Sequence, residues 1–450
     1  MLTLVFSAVS LIFAIFLLLT KWTFFKLEAI RPRSIYLAFI LKFISGCVLV
    51  WIYTYVHTDR STADIYKFMD DAAVLHEIRV EHPQVFWQLL TGVYQDESQF
   101  ETYLYKTGNW NTQDINWLNY AQIKDYNPFN SNRFITRVNA LLWFVTQGNI
   151  YLHVLVFSFF GFCGLIAYYK LIAQRLNHQQ SKQLLFLVLF LLPGLLLWCS
   201  APLKDTLVIL FTGVFFRTWF QSKSSAWMRV PSLLVLFALI LLLKYYIAAA
   251  ILLFSGMYLI LQISKLKQMN FGLLLILIIG LGIGINQIAY QFGFMPDVFS
   301  FLAEKRIESL KNAAFADARS YLFQLPAAGF LGMLTAMLSA PVNALFLPLY
   351  PANSFSPLML IQILENWVIL IVIIWLIIHR NKSTVSTAIF RSWLIYVFAL
   401  ALIIGFTSPL AGNLLRYKTA FMPVLIGLIF IGTHEQKLID LKIYRFLAKL

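Results

Sequence analysis

The sequence predicts an all-α fold, a polytopic bundle of transmembrane helices, and three observations support this prediction. Of 450 residues, 60% are hydrophobic and 12% are charged, whereas a soluble domain has about 25% charged residues. Apolar runs of about 20 residues, each able to cross a hydrocarbon core of roughly 30 Å, recur from end to end. Basic residues concentrate in every second connection between these runs.

The apolar runs predict about eleven spans. They cover residues 2–20, 35–56, 149–172, 184–199, 206–220, 231–243, 247–263, 271–290, 359–378, 392–408 and 419–433. The first run should remain as a span, because no basic residue precedes it and no small-residue cleavage site follows it. No internal repeat or low-complexity linker is evident, so residues 1–450 are predicted to form a single integrated membrane domain.

The basic connections predict the orientation of the chain. Under the positive-inside rule they lie in the cytoplasm, which puts the N-terminus outside and the C-terminus inside. The net charge of +15 then reflects topology and attraction to anionic headgroups of membrane lipids. No basic domain exists that would bind nucleic acid. We expect a multi-pass protein of a bacterial inner membrane.

Residues 57–148 form the largest predicted outer loop, between spans 2 and 3. It begins HTDRSTADIYKFMDDAAVLHEI, which is rich in aspartate. Residues 63–78 have helical spacing, with Ile65, Phe68, Met69, Ala72 and Leu75 on one side. Asp64 and Asp71 share a face of this helix, while Asp70 is turned about 100° away from Asp71. These carboxylates are candidates for a membrane-surface cleft; the alternative is a solvated helix face.

A second outer region, residues 292–358, combines an amphipathic stretch with a re-entrant one. FLAEKRIESLKNAAFADARSYL is typical of an interfacial helix and is also a candidate lid. Residues 327–347 are apolar enough to span, but a span there would place the basic 379–391 linker outside. Pro341 interrupts the run. We therefore predict a re-entrant or interfacial helical pair, with an ordinary span as the alternative.

The sharpest local signal is WCSAPLKDTLVIL, which opens the fifth span with Lys204 and Asp205. Asp205 is favourable near a helix N-terminus and has a structural explanation. Lys204 has no such structural explanation, because a positive charge is unfavourable near a helix N-terminus. A lysine beside outward-pointing backbone N–H groups makes a good phosphate site.

Three further polar features lie in or beside apolar runs. Lys244 separates two short runs and is followed by Tyr245 and Tyr246; it is either a phosphate ligand or a snorkelling side chain with an aromatic belt. Glu365 and Asn366 lie inside an apolar run, where an ionisable residue is a functional candidate. Arg416 lies at the predicted outer end of the last span, and its guanidinium group can donate two parallel hydrogen bonds to phosphate oxygens.

Soluble-enzyme signatures are missing from the sequence. It contains no P-loop, no strand-flanked GxGxxG, no HExxH and no GxSxG. The three cysteines have no metal-ligand or disulfide spacing. The sequence implies no metal site, and it leaves open whether the protein uses a divalent metal cofactor.

The outer carboxylates and cations suit sugar transfer from a lipid-linked phosphate or pyrophosphate. Lys204, Lys244 and Arg416 would neutralise the phosphate leaving group. A carboxylate such as Asp64 would take the proton from the acceptor hydroxyl. The expected partners are a lipid-linked sugar donor and a glycan or protein acceptor.

The order of these features resembles that of polytopic glycosyltransferases with a GT-C-like fold, which use polyprenyl-phosphate sugars. It is also similar to bacterial membrane proteins of surface-polysaccharide assembly, such as O-antigen polymerases. The motifs that carry this resemblance are DIYKFMDDAAVL, WCSAPLKD, LKYY, LYPANSFSPLMLIQILEN and NLLRYKTAFMP.

The resemblance implies an acidic base in the first large outer loop and basic ligands for the lipid phosphate. By that likeness Asp64, or Asp70 and Asp71, would be the base, and Lys204, Lys244 and Arg416 the phosphate ligands. The sequence departs from the family in one respect: its acidic loop follows the second span, whereas the family's normally follows the first. An extra N-terminal span, or membership of a related polymerase family, would account for this.

Two other functions remain compatible with the sequence. A polysaccharide polymerase or ligase would use the same lipid-phosphate chemistry with a different donor and acceptor. A lipid-linked glycan transporter or flippase would catalyse no transfer and would carry polar residues on broken helices near the membrane midplane. Lys42 and Glu365 are the residues that favour it.

Overall fold

The computed structural model of the chain is all-helical over the residues it describes. These are residues 2–56, 60, 63–93, 100–104, 106–107, 131–221, 225–263, 288, 291, 298–315, 330–350, 357–385, 387–408 and 410–439. Within these ranges the structure contains no strand, apart from an isolated bridge between Arg380 and Thr433. The all-α prediction is confirmed there.

The chain forms two compact units. Unit 1 comprises residues 1–171 and 195–245, and unit 2 comprises residues 172–194 and 246–450. The prediction of one integrated domain stays a prediction, and the two units are described separately.

Unit 1 begins with two long helices and a group of shorter ones. The helices of its first part are α1 (Leu2–Lys21), α2 (Pro32–Tyr55), α3 (Asp64–Glu81), α4 (Pro83–Thr91), α5 (Glu101–Leu104), α6 (Ser131–Thr146) and α7 (Ile150–Ala173), which ends two residues beyond the unit. The second part contains most of α9 (Pro193–Trp198), then α10 (Lys204–Phe220) and α11 (Ala226–Leu243).

Unit 2 contains the remaining helices. They are α8 (Gln179–Leu191), α12 (Tyr245–Gln262, whose first residue belongs to unit 1), α13 (Val298–Phe315), α14 (Phe330–Phe346), α15 (Pro357–Ile378), α16 (Lys382–Val385), α17 (Ala388–Thr407), α18 (Ala411–Tyr417), α19 (Met422–Gly432) and α20 (Glu435–Ile439).

Six helices of the described chain are long and apolar enough to cross a membrane: α1, α2, α7, α12, α15 and α17. A seventh candidate is the bent pair Gly412–Ala420 and Met422–Gly432, whose axes differ by 60°. Only 11% of the α1 window is buried in the described protein, against 72% for α7, so most of the apolar surface of α1 is left uncovered. The protein is therefore a multi-pass membrane protein. The predicted run 271–290 lies almost wholly outside the described residues.

Two predicted spans are interrupted. The run 184–199 divides into α8 and α9 at Pro193, because a proline cannot donate an N–H and disfavours helical backbone in the residue before it. Leu192 accordingly has extended backbone, with φ −61° and ψ 120°. The run 419–433 similarly bends at Phe421, between a short 3₁₀ turn and α19. That these two runs cross the membrane stays a prediction.

The segment predicted as a re-entrant pair also differs from expectation. Over its described residues it is one helix, α14, which continues through Pro341. This helix packs along α17 within unit 2. A Cβ on Gly405 would clash with the carbonyl oxygen of Ala340, so the two backbones approach closely. Such packing, rather than a chain reversal, accommodates the proline.

The helix predicted for residues 63–78 is confirmed by α3, while its position outside the membrane stays a prediction. This helix buries the predicted apolar face, and α3 packs against α4 and α6. Their shared core consists of Ala72, Leu75, Ile78, Phe86, Leu89, Phe100, Leu104 and Ala140. This small core holds the acidic face of α3 in a fixed orientation.

Candidate functional site

The predicted site residues divide between the two units. Unit 1 contains Asp64, Asp70, Asp71, Lys204, Asp205, Lys244 and Tyr245, and unit 2 contains Tyr246, Glu365, Asn366 and Arg416.

The acidic face of α3 is formed by Asp64, Phe68 and Asp71. These residues are spaced i, i+4 and i+7, which places them on one side of the helix. Phe68 and Asp71 are buried, and Asp64 is half-buried. Asp70 is turned away from this face. Its exposed carboxylate accepts hydrogen bonds from Nε and Nη2 of Arg60, at 2.9 and 2.5 Å. Two of the three predicted carboxylates therefore lie on the same face of α3, as predicted.

Lys204, the first residue of α10, reaches this acidic face. Its Nζ donates hydrogen bonds to Oγ of Ser131, at 2.8 Å, and to Oδ1 of Asn132. The same Nζ lies 5.5 Å from the ring centroid of Phe68, the residue between Asp64 and Asp71 on the helix face. The ammonium thus joins α10, α3 and the beginning of α6.

The electrostatics at Lys204 favour an anion nearby. Ser131 is the first residue of α6, and Lys204 is the first residue of α10. The N-terminus of a helix carries a partial positive charge, and its first backbone N–H groups have no acceptor within the helix. The full positive charge of Lys204 adds to the partial positive charges of these two helix ends. A cationic environment therefore adjoins the carboxylates of Asp64 and Asp71. Such a pairing can bind a phosphate and accept a proton at one place.

Asp205 and Lys244 form a buried ion pair beside Lys204. The carboxylate Oδ1 and the Nζ are 2.5 Å apart. Asp205 lies in the first turn of α10, and Lys244 is the C-cap of α11, so each charge complements the dipole of its own helix. Lys244 therefore has a protein counter-ion. The geometry favours a role in positioning α10 over the predicted role as a phosphate ligand.

The chain just before Lys204 is fixed by contacts with α2 and α7. The fully buried Lys42 donates a hydrogen bond from Nζ to the carbonyl oxygen of Leu195, at 3.1 Å. Oγ of Ser158 donates to the carbonyl oxygen of Ser200, at 2.9 Å. A Cβ on Gly46 would lie 2.5 Å from that same oxygen, so glycine allows α2 to approach it. These contacts determine where α10 begins.

Unit 2 contains a second polar cluster, around Glu365 and Asn366. Both residues are buried near the middle of α15, as predicted for ionisable and polar groups at that depth. Oε2 of Glu365 accepts a hydrogen bond from the backbone N–H of Gly194, at 2.7 Å. Nδ2 of Asn366 donates to the carbonyl oxygen of Pro348, at 2.9 Å, and Oδ1 accepts from Nζ of the buried Lys418.

The remaining predicted residues lie at the ends of helices. Arg416 is buried in α18, and Tyr245 and Tyr246 begin α12. Arg416 belongs to unit 2, whereas Asp64, Lys204 and Lys244 belong to unit 1. The expectation that these four side chains converge on one cavity stays a prediction.

Two groups in the predicted outer loop that contains α3 have shifted pKa values. The hydrogen bond to Asp70 raises the pKa of Arg60. Burial and the neighbouring charge of Arg79 lower the pKa of His76, which stacks on Trp143. Neither group touches the acidic face of α3. Among the described residues, no cluster of three His, Cys, Asp or Glu side chains could hold a metal ion.

Sequence reasoning missed the neighbours that define each cluster. Phe68 was assigned only to the apolar face, although its i+4 spacing from Asp64 placed it beside the carboxylates. Ser131 and Asn132 follow a long polar stretch and are typical of a helix start, which was a usable signal. Gly194 carried no signal, because its contact with Glu365 depends on tertiary packing.

Comparison of the chain with protein-family models, with curated proteins and with solved structures found no match.

Proposed function

We propose that the protein is a membrane glycosyltransferase that moves a sugar from a polyprenyl-phosphate-linked donor to an acceptor hydroxyl on the extracytoplasmic side. The observation that supports this proposal most is the position of Lys204. Its ammonium lies over Phe68, on the helix face that also carries Asp64 and Asp71. Transfer from a sugar phosphate requires a cation at the leaving group and a base at the acceptor, and this cluster supplies both.

In the proposed reaction, Asp64 accepts the proton of the acceptor hydroxyl as that oxygen bonds to the anomeric carbon. The bond from the anomeric carbon to the phosphate oxygen breaks, and Lys204 with the N-termini of α6 and α10 stabilises the phosphate that leaves. Asp64 is the favoured base because it is half-buried and thus more accessible to an acceptor, whereas Asp71 is buried. The Asp205–Lys244 pair keeps Lys204 in place.

The test is transfer of a radiolabelled hexose from a polyprenyl-phosphate donor by the purified protein in lipid nanodiscs. Asp64→Asn should abolish transfer and leave donor binding largely intact. Lys204→Met should weaken donor binding by about tenfold, equivalent to about 1.4 kcal/mol. Asp70→Asn should retain transfer, because Asp70 is turned towards Arg60. Full transfer by both the Asp64 and the Lys204 variants would contradict the proposal.

A lipid-linked glycan transporter or flippase is the second candidate, and the cluster in unit 2 favours it. Glu365 accepts a hydrogen bond from Gly194, which follows the break between α8 and α9. Lys418 lies immediately before the bend that precedes α19. Buried ionisable groups on interrupted helices are typical of transporters. Movement of a fluorescent lipid-linked glycan across reconstituted vesicles, without transfer, would favour this function.

A further inference from the structure

Glu365 is buried, and only one of its two carboxylate oxygens is hydrogen-bonded among the described residues. The residue is 5% exposed, and its Oε2 accepts the N–H of Gly194 at 2.7 Å. Its other oxygen, Oε1, is buried and has no hydrogen-bond partner among the described residues. A buried carboxylate oxygen without a donor is costly when the group is ionised, because neither water nor protein then solvates its charge.

The nearest opposite charge does not touch the carboxylate. Lys418 is 1% exposed, and its Nζ is directed to Oδ1 of Asn366. Lys418 acts on Glu365 through its electric field, and the two side chains form no direct ion pair. The ammonium of Lys418 is thus bound to Asn366, the residue that follows Glu365 on α15. A positive charge that does not contact the carboxylate favours the ionised form of Glu365 but still allows the carboxylate to take up a proton.

The described helices with the most contacts to α15 supply no further charge. Within unit 2, α14 and α19 pack against α15, and neither helix sequence contains an ionisable residue. The remaining charged residue of the adjoining segment is Arg416, on α18. On the side of α14 and α19, the described surroundings of Glu365 and Lys418 are therefore without another charge.

A purely structural role does not require an acid at this position. A glutamine would accept the same hydrogen bond from Gly194 with its amide oxygen, and it would bury no charge. An ionisable side chain inside a membrane-spanning helix is instead typical of groups that bind or relay ions. The ligand that suits a single carboxylate oxygen without a donor beside an ammonium is a proton. Lys418 would repel a metal cation, and no cluster of three His, Cys, Asp or Glu side chains occurs among the described residues.

We propose that Glu365 is a reversible proton-binding site, independent of the proposed transfer reaction. A proton from water bonds to Oε1, while Oε2 keeps its hydrogen bond with Gly194. Lys418, positioned by Asn366, is the counter-charge that allows the proton to leave again. The step involves no oxidant and no metal.

The test uses dicyclohexylcarbodiimide, an apolar reagent that reacts with protonated carboxyl groups in apolar surroundings. The full-length protein in lipid nanodiscs is treated over a range of pH, and the modified residues are identified by peptide mass spectrometry. Glu365 should be modified, and the extent should fall as the pH rises. Glu435 is a matched control, because it also accepts backbone N–H groups of unit 2, at Asn177, but is bound at an exposed site.

Two variants complete the test. Glu365→Gln should keep the bond to Gly194, fold normally and lose the modification at this position. Lys418→Met should increase the modification of Glu365 at a given pH, because removal of a nearby positive charge favours the protonated acid. The proposal is overturned if Glu365 stays unmodified at every pH, if its modification does not change with pH, or if Lys418→Met leaves the modification unchanged.

Discussion

The carboxylate of Asp205 and the ammonium of Lys244 are 2.5 Å apart, and their side chains are only 2% and 8% exposed. Asp205 lies at the N-terminal end of α10 and Lys244 at the C-terminal end of α11. The two helices pack against each other, so the pair joins ends of opposite dipole. The pair thereby fixes the first turn of α10, where Lys204 begins the helix.

Removal of one partner of this pair should destabilise unit 1 strongly. Asp205→Asn leaves the charge of Lys244 buried without its carboxylate, and we expect a loss of about 3–5 kcal/mol in the free energy of unfolding. The exposed pair Arg60–Asp70 is the matched comparison, with side chains 60% and 51% exposed. Asp70→Asn should cost about 1 kcal/mol or less. Chemical unfolding in detergent micelles measures both.

The double variant Asp205→Asn with Lys244→Met is the control for this prediction. It removes the buried charge that the single variant leaves behind, so part of the lost stability should return. A single variant as stable as the wild-type protein would show that the pair is not energetically coupled.

A side chain at position 194 should force the carboxylate of Glu365 to move. A Cβ at position 194 would lie 2.8 Å from Oε1 of Glu365. We expect Gly194→Ala to displace the carboxylate and to lower the free energy of unfolding by about 1–3 kcal/mol. Gly256→Ala is the matched control, because a Cβ there meets nothing within 4 Å.

The two glycines can be compared in one thermal unfolding experiment. Gly256 lies within α12, where alanine has the higher helix propensity, so its variant should be as stable as the wild type or up to about 1 kcal/mol more stable. Equal stability of the two alanine variants would contradict the close contact at Gly194.

Stability should fall in mild acid because of His76. Its ring stacks on Trp143 at 5.6 Å, and Nη2 of Arg79 lies 3.3 Å from its Nε2. Burial and the charge of Arg79 lower the pKa of His76 in the folded protein. The neutral ring therefore contributes stability above the unfolded pKa of about 6.5, and this contribution is lost as the pH falls through that value and below it.

The measurement for His76 is the thermal unfolding midpoint at a series of pH values. His76→Gln should flatten the fall in the midpoint on the acidic side. His434→Gln, at an exposed position of unit 2, should leave the pH dependence unchanged. An unaltered pH profile in the His76 variant would refute the prediction.

The predicted topology can be tested by cysteine accessibility in intact cells. Val93 and Ser383 are exposed, and they lie in connections predicted to be outside and inside. In a Cys47→Ala background, which keeps only the two buried cysteines, a membrane-impermeant maleimide should label Val93→Cys and not Ser383→Cys. The reverse pattern would invert the proposed orientation.

The sequence was most informative where a feature depends on periodicity. Apolar runs predicted the six long candidate spans, because length and composition alone decide whether a helix can cross a bilayer. The buried face of α3 followed from residues 63–78 for the same reason, and its acidic positions followed with it. Interruptions were less well predicted. The break at Pro193 had a local cause that the apolar run concealed.

The sequence by itself determined that the chain is a helical membrane protein with aspartates and lysines as candidate site residues, since these properties are local. Only the tertiary structure decided which charges meet. It paired Lys244 with Asp205, directed Asp70 to Arg60, brought Lys204 to Phe68, and held Lys418 on Asn366 beside Glu365. The physical reason is that a charge in an apolar bundle is stabilised by whatever partner the packing brings within a few ångströms, and that partner can be far away along the chain.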